Sequence, residues 1–240
     1  VDENQQSLLV DIPGKLTNMA WSPDSKNLAF VAGVDSSDPV SGSLFSVKVP
    51  NERSWDQIRN YTLDFEGSVT DVKWVDNKTM IFSADESVNV TLSEIQLGEE
   101  SRTILTGGEG IVFNRFQIID GKICMVANTS QHPNELYQFD LKKKAFKRLT
   151  VSNPWLSEID LARQEKISYE ARDGLTIEGV LQYPIDYNPK QKYPMICVIH
   201  GGPESCIKNG WTTSYSRWGN IAAAEGYFVF MPNYRASSGR

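Results

Sequence analysis

Met195-Ile196-Cys197-Val198-Ile199-His200-Gly201-Gly202-Pro203 decides how the C-terminal part of the chain folds. Five apolar residues without a polar break read as a strand covered on both faces, as in parallel sheets. The two glycines after it allow a sharp turn, and Pro203 stiffens that turn. Trp211 to Glu225 then fits a helix, with Trp211, Tyr215 and Trp218 at i, i+4 and i+7 on one buried face and Gly226 at C′. Tyr227 to Met231 is a second apolar strand. Strand, loop, helix and strand make a βαβ unit. Asn233-Tyr234-Arg235 falls at the carboxyl end of its second strand, where open α/β sheets place their ligands. Upstream, Lys166 to Ala171 and Leu175 to Tyr183 flank Asp173-Gly174, which reads as a two-residue hairpin turn.

The first 150 residues follow a different grammar: short apolar or alternating runs broken by Asp, Asn, Gly, Ser and Pro, as in antiparallel sheets. Strands are expected near 18–22, 28–31, 44–49, 69–75, 80–84, 90–97, 111–119, 123–127, 135–141 and 146–150. A repeat runs beneath them. Asn18-Met19-Ala20-Trp21, Ser22-Pro23-Asp24-Ser25 and Leu28-Ala29-Phe30 are echoed by Asp71-Val72-Lys73-Trp74, Asp76-Asn77 and Met80-Ile81-Phe82. Gln117 to Val126 gives a weaker third copy. Trp21, Trp74 and Ile118 lie 53 and 44 residues apart, close to the 40–50 residues of a propeller blade. Each unit cannot cover its own faces and must stack on neighbours. Three copies predict an incomplete propeller; an irregular β-sandwich is the competing architecture. In the Trp-Ser-Pro-Asp element, tryptophan is expected to fill the space between units and Pro-Asp to make the turn.

Composition narrows the function classes. The 240 residues carry a net charge of −6 and a pI near 5.1, which argues against a nucleic-acid footprint. The one basic run, Lys142 to Lys144 with Lys147 and Arg148, reads as a solvated hairpin end. No apolar stretch has the length of a membrane span, and Val1 to Ser7 has no signal-peptide shape. Cys124, Cys197 and Cys206 are too scattered for a disulfide framework or a zinc site. Sequons at Asn60, Asn77, Asn89 and Asn128 would matter only in a secretory route, and the compartment stays open. His132, between Gln131 and Pro133, reads as an exposed turn residue.

His200-Gly201-Gly202 also has a chemical reading. An acyl-transfer site must bring a backbone N–H within about 3 Å of a developing oxyanion, and a Cβ there would obstruct the approach.

The run Trp21 to Phe30 resembles the blade repeats of TolB-like propellers and of prolyl oligopeptidase family serine peptidases. Pro133-Asn134-Glu135-Leu136-Tyr137 through Asn153-Pro154 is similar to the last blade and exit of such a propeller. Tyr193 to Gly239 resembles the opening of the peptidase domain in the acylaminoacyl-peptidase and dipeptidyl-peptidase branch of that family: strand, His-Gly-Gly-Pro, helix, strand, Asn-Tyr-Arg-Gly-Ser. Ala236 stands at the usual glycine, which is expected to stiffen the loop slightly.

The resemblance implies a multidomain β plus α/β fold. Residues 1–157 would be the C-terminal blades of a TolB-like or WD40-like β-propeller, and residues 158–240 the N-terminal portion of an α/β-hydrolase domain. It implies a parent serine peptidase that hydrolyses short peptides from the amino terminus by Ser-His-Asp acyl transfer, with an oligopeptide partner and no metal or organic cofactor. No partner nucleic acid or membrane is implied, and oligomerisation is open.

Gly201 and Gly202 would supply oxyanion-hole backbone. His200 would be a structural loop residue, because the fold's triad order is Ser, Asp, His. No Gly-x-Ser-x-Gly elbow occurs in the 240 residues. The chain is therefore expected to be inactive alone and, with unpaired sheet edges, poorly soluble. Glu99, Glu100 and Glu109 are assigned no role. An esterase or lipase on the same hydrolase fold, and a TolB-like binding module, are the alternatives.

Overall fold

The computed structural model describes residues 7–37, 41–50, 54–202, 205–215 and 217–239. Pro203 and its expected role lie outside them. Alternating apolar residues and Asx- or Ser-rich turns produce three four-stranded antiparallel sheets in chain order. The first contains β1 (Leu16–Trp21), β2 (Asn27–Ala32), β3 (Ser43–Lys48) and β4 (Arg59–Asn60). The second contains β5 (Ser68–Trp74), β6 (Thr79–Glu86), β7 (Asn89–Gln96) and β8 (Thr103–Thr106). The third contains β9 (Val112–Ile119), β10 (Lys122–Thr129), β11 (His132–Asp140) and β12 (Ala145–Arg148). The ten expected strands are present; β4 and β8 were not anticipated.

The sheets stack by burying one another's faces. Ala29, Val31 and Leu44 of the first meet Val72, Trp74, Met80 and Phe82 of the second. Ile81 and Leu92 on the second pack with Phe113, Phe116, Ile123 and Met125 of the third. Polar bonds join corresponding points of the repeat. Trp74 Nε1–H donates to the Ala20 carbonyl at 2.9 Å, and Asp24 N–H donates to Asn77 Oδ1 at 2.9 Å. Trp74 thus fills the space between sheets as expected, whereas Trp21 lies on the outer face of the first sheet and is half exposed. Ile119, Val126 and Leu136 are exposed on the far face of the third sheet.

After the 3₁₀ turn Pro154–Glu158 comes a fourth sheet of order β13 (Gln164–Glu170), β14 (Thr176–Gln182), β16 (Phe228–Asn233) and β15 (Met195–Cys197). β13, β14 and β16 pair antiparallel, and β15 runs parallel to β16. The helix α1 (Gly219–Ala224) makes the crossover between the two parallel strands. Among the described residues no helix is long and apolar enough to cross a membrane.

Four expectations are corrected. The helix covers only 219–224, because the Thr-rich stretch before it uses its polar groups elsewhere: Trp211 N–H bonds Asn128 Oδ1 at 2.8 Å, Thr212 Oγ1 bonds Gln164 at 3.2 Å, and Thr213 Oγ1 accepts Asn220 N–H at 3.0 Å. Tyr215 and Trp218 are accordingly exposed and form no buried face. β15 is not covered on both faces, since Met195 and Cys197 are exposed on a strand paired only with β16. The β13–β14 turn is a three-residue loop, with Ala171 N–H bonded to Leu175 O and only Gly174 at positive φ, +84°.

Candidate functional site

The carboxyl ends of β15 and β16 bring His200-Gly201-Gly202 beside Tyr234 to Gly239. The parallel ladder continues past β15, with Val198 N–H donating to Phe230 O at 2.8 Å. His200 is buried, and its imidazole stacks on the Tyr234 ring with centroids 4.4 Å apart. Tyr234 Oη–H donates to the His200 carbonyl at 2.8 Å. The Gly201 carbonyl can only accept, so His200 Nδ1–H donates to it at 3.0 Å. Nε2 then accepts the Ser237 hydroxyl at 2.9 Å. Both ring nitrogens are thus engaged in contacts that hold the loop. The structural role expected of His200 matches these contacts.

Gly201 and Gly202 are exposed at the tip of this loop. Among the described residues, neither backbone N–H meets an acceptor. Gly202 has φ +105°, which favours glycine for conformational reasons. Gly201 lies outside the left-handed region, and a Cβ built on it would meet nothing within 4 Å. Among the described residues, nothing requires glycine at 201. Ala236, by contrast, has φ +67°: the position needs what glycine gives, so alanine there is strained rather than merely stiffer.

Asn233, at the end of β16, is fully buried and holds the far side of the glycine loop. Its Oδ1 accepts Ile207 N–H at 2.6 Å, and its Nδ2–H donates to Ile207 O at 3.0 Å. Ser238 N–H donates to Ser205 O at 3.0 Å. The motif Asn233-Tyr234-Arg235 pointed here; the buried hydroxyl of Ser237 was not anticipated. Arg235 pairs with Asp173, both exposed.

A crevice of about 1400 Å³ lies between the first two sheets and the β13–β14 hairpin, and meets the segment after β16 at Gly239. In it Arg102 forks onto both oxygens of Glu86, at 2.8 and 2.9 Å, and covers the Phe65 ring. Glu100 there pairs with Arg59 at 3.8 Å.

His132, expected to be an exposed turn residue, is corrected. It is buried, donates from Nδ1 to Pro133 O at 2.7 Å and accepts the Tyr137 hydroxyl at Nε2, also at 2.7 Å. The three cysteines are free thiols.

Compared with known proteins, the chain matches no family model. It is 26% identical over 235 residues to dipeptidyl-peptidase 5 of Aspergillus oryzae, covering 95% of this chain and 31% of that protein. Its fold matches acylaminoacyl peptidase of Pyrococcus horikoshii with TM-score 0.74 and 18% identity, over 100% of this chain and 35% of that one. An acylaminoacyl peptidase solved in complex with Z-Gly-Gly-Phe-chloromethyl ketone matches with the same TM-score, identity and coverage. The chain spans about a third of the length of the curated relatives it matches. Its homologues are dipeptidyl peptidases and its structural neighbours acylaminoacyl peptidases, in agreement with the resemblance read from its motifs.

Proposed function

We propose that this chain is the part of a serine peptidase that bears three blades of a β-propeller, residues 1–157, and the opening of an α/β-hydrolase domain, residues 158–240. In that reading the parent enzyme releases short pieces from the amino terminus of oligopeptides. The observation that carries it is Gly201: an exposed glycine that its own backbone does not need, whose N–H meets no acceptor among the described residues, at the carboxyl end of a parallel strand. A small residue with no internal need of smallness leaves room for what approaches it. A peptide carbonyl does so, and the Gly201 and Gly202 amides then face the oxyanion that forms on attack.

The chemistry divides accordingly. A serine hydroxyl adds to the carbonyl, a histidine takes its proton and later returns it to the leaving amine, and an aspartate orients that histidine. None of those three roles is assigned to a residue of this chain. Its own contribution is to hold the glycine loop through His200, Tyr234 and Ser237, and to wall the site with the sheets. Serine acyl transfer supplies its own nucleophile and base, so no metal or organic cofactor is invoked. The names of the homologues and the peptide-derived ligand of one structural neighbour support an oligopeptide substrate.

A fluorophosphonate probe tests the assignment. The 240-residue chain should stay unlabelled, while the intact gene product that contains it labels at one serine and cleaves dipeptidyl or acyl-aminoacyl amides. Labelling of the short chain at active-site rates, or an intact product inert to both probe and amides, overturns it.

A further inference from the structure

The turn of the β6–β7 hairpin leaves the second sheet and enters the core beneath the fourth. Val88, at that turn, is fully buried among Val180, Ile207, Ala222, Val229 and Met231. An apolar residue at a hairpin tip gains nothing in water, and Ser87 beside it adopts φ +61°, uncommon for a residue with a side chain. The tip is shaped by what it plugs into. Val88 O accepts Asn209 N–H at 2.7 Å, Ser87 N–H donates to Gly239 O at 2.8 Å, and Asn233 Nδ2–H reaches Ser87 O at 3.4 Å. Behind the tip, buried Asp85 faces Lys208 Nζ at 2.8 Å and accepts the Cys206 thiol at 3.6 Å. Burial, and then the Asp85 charge, push that thiol up to about 12.

These contacts fall on two segments: 205–210, downstream of the glycines, and 233–239, which clasps His200 through Tyr234 and Ser237. We propose that the Asp85–Val88 hairpin tip is a positioning element for the Gly201-Gly202 loop, so that the second sheet sets the aim of the two amides. The catalytic meaning of those amides rests on the peptidase reading above; the positioning itself does not.

The isotope-labelled intact gene product that contains this chain tests it through the amide resonances of Gly201 and Gly202 and the reactivity of Cys206 toward an aromatic disulfide, with exposed Cys197 as internal standard. Val88→Asp should speed Cys206 modification by about tenfold as local opening exposes the thiol, and Asp85→Asn should speed it also by removing the charge that adds to burial in raising the thiol. They should shift the Gly201 and Gly202 resonances while those of β9–β12 stay in place, and Val88→Ile should leave both readouts as in the parent. If Val88→Asp unfolds the chain, Asp85→Asn decides. The proposal is overturned if Cys206 becomes reactive in Val88→Asp with the glycine resonances unmoved, or if the glycine resonances do not respond to Asp85→Asn. Neither readout involves turnover, so loss of the peptidase reading by the phosphonate test would leave this result standing, and the reverse.

Discussion

Phe116 donates its backbone N–H to Asp71 Oδ2 at 3.2 Å, tying the inner strand of the third sheet to that of the second. The other oxygen of Asp71 takes Asn18 Nδ2–H from the first sheet and Lys73 Nζ at 2.6 Å. One fully buried carboxylate thus joins three sheets.

Removing that carboxylate leaves donors from three strands without their acceptor, the Phe116 N–H among them fully buried. Asp71→Ala should destabilise the chain by about 3 kcal/mol, with Asp71→Asn intermediate because it keeps one acceptor. Urea unfolding measures it. A loss below about 1 kcal/mol for Asp71→Ala would mean the sheets are held by their apolar faces alone.

Glu135 accepts the Thr150 hydroxyl at 2.5 Å, Ser152 N–H at 2.6 Å and Arg148 Nη2–H at 3.1 Å. The Thr150 bond, then those of Ser152 and Arg148, outweigh burial and lower its pKa from 4.5 to about 2. A carboxylate depressed in the folded state stabilises fully above its unfolded value, and that contribution disappears as pH falls from 4.5 toward 2. Melting temperatures across that interval should fall more steeply for the parent than for Glu135→Gln. Parallel curves would refute the assignment.

Ala236 sits at φ +67° and is exposed. Ala236→Gly should relieve the left-handed penalty and stabilise by about 0.5–1 kcal/mol after the extra chain entropy of glycine is counted. A neutral or destabilising result in thermal unfolding would show that the loop tolerates alanine there without strain.

Strand placement was legible from unbroken apolar runs such as Leu28-Ala29-Phe30-Val31 and from longer mixed runs such as Val112 to Ile119. β4, two residues long, and β8, Thr103-Ile104-Leu105-Thr106, were not legible, because edge strands need only one partner and leave little periodicity. The helix was overread from aromatic spacing at Trp211, Tyr215 and Trp218, where threonine side chains bonding to Asn220 and Gln164 outcompeted helical hydrogen bonds. His132 was misread because its partner, Tyr137, is an aromatic neighbour across the strand start rather than a sequence signal. At the site, the glycines and Asn233-Tyr234-Arg235 announced themselves as motifs. The Val88 tip did not: its one signal was an apolar residue between Ser87 and Asn89 in a turn.

The most direct test of the account is the pairing of kcat/KM with melting temperature for Gly201→Val in the intact gene product. The space around Gly201 and its ordinary backbone predict a melting temperature within about 2 °C of the parent. Steric exclusion of the substrate carbonyl from the amide predicts a fall in peptide turnover of about 100-fold or more. Turnover unchanged at unchanged stability would show that no carbonyl approaches Gly201, and the peptidase role of this loop would be lost.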